Sequence, residues 1–106
     1  MQTIEIIDNT VKNSSAVMLY FSAPTCGVCK VLKPKLFEAL EKNFPVFKVE
    51  SIDISVSEDI APYFGVFTIP TVIVFLDGKE FIRKSRNMSV DGLMEEIRRP
   101  YEIMLS

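Results

Sequence analysis

The chain has only two cysteines, Cys26 and Cys29, and they stand two residues apart where a strand pattern gives way to a helix pattern. Ahead of them runs Val17-Met18-Leu19-Tyr20-Phe21, short, aromatic and β-branched, the signature of a buried strand. Behind them Leu32, Leu36 and Leu40 recur at helical spacing among Lys30, Lys33, Lys35, Glu38 and Glu41. A Cys-x-x-Cys on a strand-to-helix turn is a redox arrangement when the chain is cytosolic. The turn also assigns the two sulfurs. With Thr25 as the expected N-cap, Cys26 falls in the first helical turn, where unpartnered N–H groups and the positive end of the dipole stabilise a thiolate. That setting lowers a cysteine pKa from about 8.5 toward neutrality. Cys29 shares the inward face of Leu32 and Leu36. Cys26 is thus the expected exposed nucleophile and Cys29 the buried resolving thiol, with Pro24 stiffening the loop that presents them.

Composition narrows the remaining choices. A chain of 106 residues with 48% hydrophobic content is one domain able to build its own core. A formal charge of -2 gives no global attraction to nucleic acid or an anionic membrane. Residues 1–8 carry Glu5 and Asp8 and lack the basic segment of a secretory signal, and apolar runs such as residues 70–76 are too short to span a bilayer. The expectation is a reducing cytoplasm, with no nucleic-acid and no membrane partner, where a cysteine pair is catalytic or metal-binding rather than a staple.

In chain order, residues 3–7 read as a first strand and 8–15 as a polar connection with room for a short helix. Strand 17–22 leads into the cysteine turn and a helix over about 26–43, kinked where Pro34 removes a hydrogen bond to the Lys30 carbonyl. Residues 46–54 read as a strand, and Ser57 as the cap of a short helix over 58–64 closed by Gly65. Thr71-Val72-Ile73-Val74-Phe75-Leu76 is a continuous apolar run, hence a strand covered on both faces. Asp77-Gly78 signals a hairpin, and residues 79–84 return as a polar edge strand. Ser89 caps a last helix with Leu93 and Ile97 inward, which Pro100 ends or bends, leaving 101–106 as a tail. Strands alternating with helices make this an α/β domain.

On these motifs the chain resembles the thioredoxin family almost end to end. The resemblance is carried by Phe21-Ser22-Ala23-Pro24-Thr25-Cys26-Gly27-Val28-Cys29-Lys30, by Pro34, by Ala61-Pro62-Tyr63-Phe64-Gly65-Val66, and by Ile69-Pro70-Thr71 with the strand and Asp77-Gly78 that follow. It implies an α/β thioredoxin fold over residues 1–106, a central mixed sheet flanked by helices, with a cis Ile69–Pro70 bond beside the sulfurs. It implies a thiol–disulfide oxidoreductase that reduces protein disulfides, with Gly27, Val28, Ile69 and Pro70 forming the landing surface for substrate and no cofactor required. Disulfide-containing proteins, and a thioredoxin reductase for recycling, are the partners expected.

The departures from the family pattern are as informative. Tyr20 stands where thioredoxins carry a buried aspartate that takes the proton from the buried cysteine, and a phenol with a pKa of about 10 is no base near neutrality. Resolution by Cys29 is therefore expected to be slow, unless water, Glu50 or Asp53 substitutes. The tryptophans usual near the motif are replaced by Ser22 and Thr25, and the usual Gly-Pro is Gly27-Val28, which points to a less strongly reducing pair. A family glycine beside the docking surface aligns with Arg86, either a rim cation that favours acidic partners or, equally, an edge-strand charge that deters aggregation. Two alternatives stay open on sequence. One is a non-catalytic binding module or adaptor. The other is a dimer sharing a metal or iron–sulfur site through Cys26 and Cys29, since two cysteines and no histidine do not fill a four-ligand site within one chain.

Overall fold

Residues 2–105 are described by a computed structural model. The elements run α1 (Ile4–Asn13), β1 (Ala16–Ser22), α2 (Gly27–Asn43), β2 (Lys48–Asp53), α3 (Ile60–Tyr63), β3 (Thr71–Leu76), β4 (Lys79–Ser85) and α4 (Val90–Leu105). The strands form one mixed sheet in the order β2-β1-β3-β4. β1 pairs parallel with β2 and antiparallel with β3, and β3 pairs antiparallel with β4. Central strands β1 and β3 are buried almost throughout, as their unbroken apolar runs require. Side chains alternate across the sheet, so each face carries its own core. One unites Met18, Tyr20, Val72 and Val74 with Leu36 and Leu40 of α2 and Leu93 and Ile97 of α4. The other unites Leu19, Phe21, Ile73 and Phe75 with Ile7 and Val11 of α1 and with Ile60 and Ala61 of α3.

The start of the chain corrects the sequence reading: one helix spans residues 4–13, replacing the strand expected over 3–7 and taking in most of the connection after it. The Thr3 hydroxyl accepts the Ile6 N–H at 3.2 Å and caps the helix, and Asp8 pairs with Lys12 one turn on. Ile7 and Val11 are buried on the sheet while Ile6 stays half exposed, so burial follows the helical period. A second correction concerns α3, which starts at Ile60 with Asp59 at the cap position. The Ile60 N–H reaches the Ser57 backbone carbonyl, not its hydroxyl. At the β3–β4 turn both Asp77 (φ 53) and Gly78 (φ 79) take the left-handed conformation, the combination a tight hairpin of type I′ needs.

Helix α4 is the third correction, because it runs through Pro100 to Leu105 instead of stopping. The lost backbone hydrogen bond at proline is offset by packing beyond it. The Tyr101 ring lies 4.7 Å from that of Phe44 and 5.8 Å from that of Phe47, stacked on the latter. Tyr101→Ala should therefore lower stability by about 2 kcal/mol, or roughly 10 °C in Tm. A thermal melt shifted by no more than a degree or two would show that the ring cluster does not hold this turn.

Candidate active site

The end of β1 and the start of β3 lie side by side, with Phe21 opposite Thr71, and Ser85 at the end of β4 lies opposite Thr71 in turn. The cysteine turn after Ser22, the Ile69–Pro70 pair before Thr71, and Arg86 after Ser85 therefore emerge at one end of the sheet. This topology collects the residues that the sequence scatters over sixty positions.

Within the turn, Cys26 itself occupies the N-cap of α2, one position later than the threonine expected there. Its backbone is extended (φ -88, ψ 101), and its N–H donates to the Ala23 carbonyl at 3.0 Å. The Cys29 N–H donates to the Cys26 sulfur at 3.2 Å. The sulfur thus does what a serine or aspartate oxygen does at an ordinary cap. Cys26 and Cys29 are joined as a disulfide across a Cα–Cα distance of 5.3 Å. Cys29 is 3% exposed and Cys26 is partly open, the inequality expected from the helical pattern. Between them Gly27 is exposed, and Val28 presents an apolar side chain 63% exposed.

Behind the pair stands Tyr20, fully buried, with its ring edge-on to Phe37 at 5.6 Å. Its hydroxyl donates to the Cys29 carbonyl at 2.9 Å. Burial pushes the phenol above its ordinary pKa, so it is a fixed donor and no proton acceptor near neutrality. Neither acid considered as a substitute base is aimed at Cys29. Glu50 takes a hydrogen bond from Gln2 and lies opposite Leu19, which belongs to the other core. Asp53 accepts from the Ser55 hydroxyl and N–H, which hold its carboxyl below the usual range.

The Ile69–Pro70 bond is cis, with Pro70 buried and Ile69 partly open. The Pro70 carbonyl accepts the Arg86 N–H at 2.8 Å. Arg86 is exposed and left-handed (φ 59), a conformation that suits the glycine of the family pattern better than a side chain. Two residues escaped the sequence reading. Arg83 reaches from β4 to the carbonyls ending α3, and Phe67 is 82% exposed just before Ile69. An aromatic between Gly65 and Ile69 was the available signal for Phe67; for Arg83, inside a charged edge strand, there was none.

Comparison with known proteins agrees with this geometry. The thioredoxin family model matches residues 2–99. A thioredoxin-like protein of Bacillus subtilis, YdfQ, is 31% identical over 103 residues, which cover 97% of this chain and 91% of that one. A Chlamydia muridarum thioredoxin is 42% identical over 84 residues, covering 79% and 81%. Thioredoxin 1 of Thermosipho africanus superposes with a TM-score of 0.75 at 33% identity, covering 85% of this chain and 99% of that one. With a cysteine pair that closes to a disulfide at the start of α2, and a family match along nearly its whole length, the chain belongs to the thioredoxin family of thiol–disulfide oxidoreductases.

Proposed function

We propose that the chain reduces protein disulfides by dithiol–disulfide exchange, with Cys26 as nucleophile and Cys29 as resolving thiol. The observation that carries this reading is the pairing of a partly open Cys26 at a helix cap with a buried Cys29 one turn on. On reduction, the Cys29 N–H that now meets the Cys26 sulfur faces a thiolate, which the helix N-terminus favours. That thiolate attacks one sulfur of the substrate disulfide; the S–S bond breaks, and the departing sulfur leaves as a thiolate and takes a proton from solvent. Cys29 then gives up its proton and attacks the Cys26 sulfur, expelling the second substrate thiolate and closing the Cys26–Cys29 disulfide. Two electrons pass from chain to substrate, and a thioredoxin reductase is the partner that would return them.

Docking falls to the surface around the sulfurs. Gly27 and Val28 give an open apolar edge, and the backbone N–H and C=O of Ile69 pair with an extended segment of substrate, as in other strand-addition sites. Arg86 adds a cation to that rim. Arg86→Gly should lower kcat/KM toward acidic substrates about two- to fivefold at low ionic strength, with the difference vanishing near 0.5 M salt as charges are screened (about 4 Å Debye length). Equal rates and equal salt dependence across several substrates would remove Arg86 from docking.

The test of the function is a redox titration of the cysteine pair in dithiothreitol or glutathione buffers, followed by thiol labelling. A two-electron midpoint near about −270 mV is expected of a reductant, and one between about −200 and −120 mV of an isomerase or oxidant. A pair that forms no intramolecular disulfide at any poise would overturn the reading.

A further inference from the structure

The segment between α3 and Pro70 is held from two sides: on the α3 side the Val66 N–H donates to the Ala61 carbonyl at 2.8 Å with the Val66 side chain buried, and on the other side stands β4. Arg83 of β4 donates to the Phe64 carbonyl at 2.8 Å and to the Gly65 carbonyl at 3.3 Å. The same guanidinium donates to both oxygens of Glu80, at 3.0 and 2.8 Å. That fork keeps the Glu80 carboxyl below its usual range and raises Arg83. Further along, the Thr71 hydroxyl donates to the Thr68 carbonyl at 2.7 Å and meets the Ser85 hydroxyl at 3.0 Å. The Arg86 N–H ends the series on the Pro70 carbonyl. Arg83 and Arg86 thus tie residues 64, 65 and 70 to β4, while residue 68 is tied to Thr71 of β3, whose hydroxyl Ser85 meets. Between the first two anchors stands Phe67, the most exposed large apolar side chain among the described residues.

We propose that Arg83 is a positioning residue that fixes this loop so that Phe67 is held out as an anchor for an apolar side chain next to the substrate's disulfide. The inference rests on the reductase reading above. Arg83 lies opposite Ile73, whose side chain belongs to the core that α3 joins, so the guanidinium is on the correct face to reach the end of α3. Its fork is set by Glu80 before substrate arrives, so little side-chain freedom is lost on docking. A preorganised, exposed aromatic is the type of group on which binding energy concentrates. Tryptophan is absent from the chain, and Phe67 stands two residues ahead of Ile69.

The test compares cyclic peptide disulfides flanked on both sides by leucine or by serine, with hydroxyethyl disulfide as the small substrate. Phe67→Ser should raise KM for the leucine peptide about five- to twentyfold and for the serine peptide less than twofold. Arg83→Met should raise KM for the leucine peptide about three- to tenfold, with kcat and the rate on hydroxyethyl disulfide within twofold of the parent. Arg83→Lys, which keeps charge but not the fork, should recover only part of that loss. If Arg83 acts through the loop, the double variant binds no worse than Phe67→Ser alone. Additive effects, or an unchanged KM in Arg83→Met, would overturn the proposal. Circular dichroism at the assay temperature separates misfolding from lost docking, and Glu80→Gln gives a second, milder way to loosen the fork, with a smaller rise in the same KM expected. A parent chain that reduces none of the disulfides would instead sink the reductase reading.

Discussion

Replacing Cys29 by serine should cut steady-state turnover about a thousandfold or more while leaving the first attack intact, so that substrate accumulates on Cys26 as a mixed disulfide. The size follows from what the second thiol supplies. Cys26 and Cys29 sit within one turn, 5.3 Å apart at Cα, so resolution is intramolecular and proceeds at an effective concentration no external thiol matches. Without Cys29, release of the adduct depends on free thiol from solution. Serine keeps the N–H that bonds the Cys26 sulfur and is nearly isosteric, so the cap survives. Mass spectrometry under non-reducing conditions should find a one-to-one adduct that dithiothreitol reverses. Cys26→Ser should form none. An adduct on Cys29 in that variant, or unimpaired turnover in Cys29→Ser, would mean that the two sulfurs have been assigned the wrong way round.

Tyr20→Asp should accelerate the resolving step about tenfold or more at neutral pH and lower stability by about 3–5 kcal/mol. Both effects come from the same burial. The phenol is sealed in the core against Phe37, and its hydrogen bond runs outward to the Cys29 carbonyl, so nothing at this position takes a proton as the reaction requires. A carboxylate there, with water in the space the ring leaves, supplies a general base. Removing the ring opens a cavity, the main part of the stability cost. Burial also raises the introduced carboxyl above its unfolded pKa of about 3.9. The folded state then holds that proton more tightly than the unfolded state, so stability falls as pH rises between the two pKa values, and the variant is weakest at neutral and alkaline pH. Stopped-flow decay of the mixed disulfide and urea melts at pH 4.5 and 7.5 check the two halves separately. Tyr20→Phe is the control: it keeps the ring, removes one hydrogen bond for about 1 kcal/mol, and should not speed resolution. If Tyr20→Asp resolves no faster than the parent, the missing acid does not limit this chain.

Most of what the sequence made legible depends on strong local patterns. The apolar runs of β1 and β3, the Asp77-Gly78 turn and the leucine stripe of α2 each specify one element by period or by backbone requirement. The candidate residues Cys26, Cys29, Ile69 and Pro70 stood out as motifs, and the register of β1, β3 and β4 explains why their segments emerge at one end of the sheet. The failures are places where local signals were equivocal or outvoted. Ile4-Glu5-Ile6 alternates like a strand over three residues, and only Ile7 and Val11 reaching the sheet favour the helix. Pro100 is a strong stop in isolation, overridden by Tyr101 packing on Phe44 and Phe47. A cap displaced from Thr25 to Cys26 is within the reach of one sulfur. The Arg83 fork joins segments eighteen and nineteen residues apart, and no periodicity encodes such a contact.

The hydrogen bond from Tyr20 to the cysteine turn also makes the protein its own optical reporter. With no tryptophan, ultraviolet emission comes from three tyrosines. Tyr63 is half exposed beside Phe64, and Tyr101 stacks in the aromatic cluster under α4. Tyr20 alone of the three is bonded to the backbone that carries a reactive sulfur. Disulfides quench nearby phenol emission and thiols do so less, so opening and closing of the pair is readable as a change in tyrosine fluorescence, with no dye attached and no residue replaced.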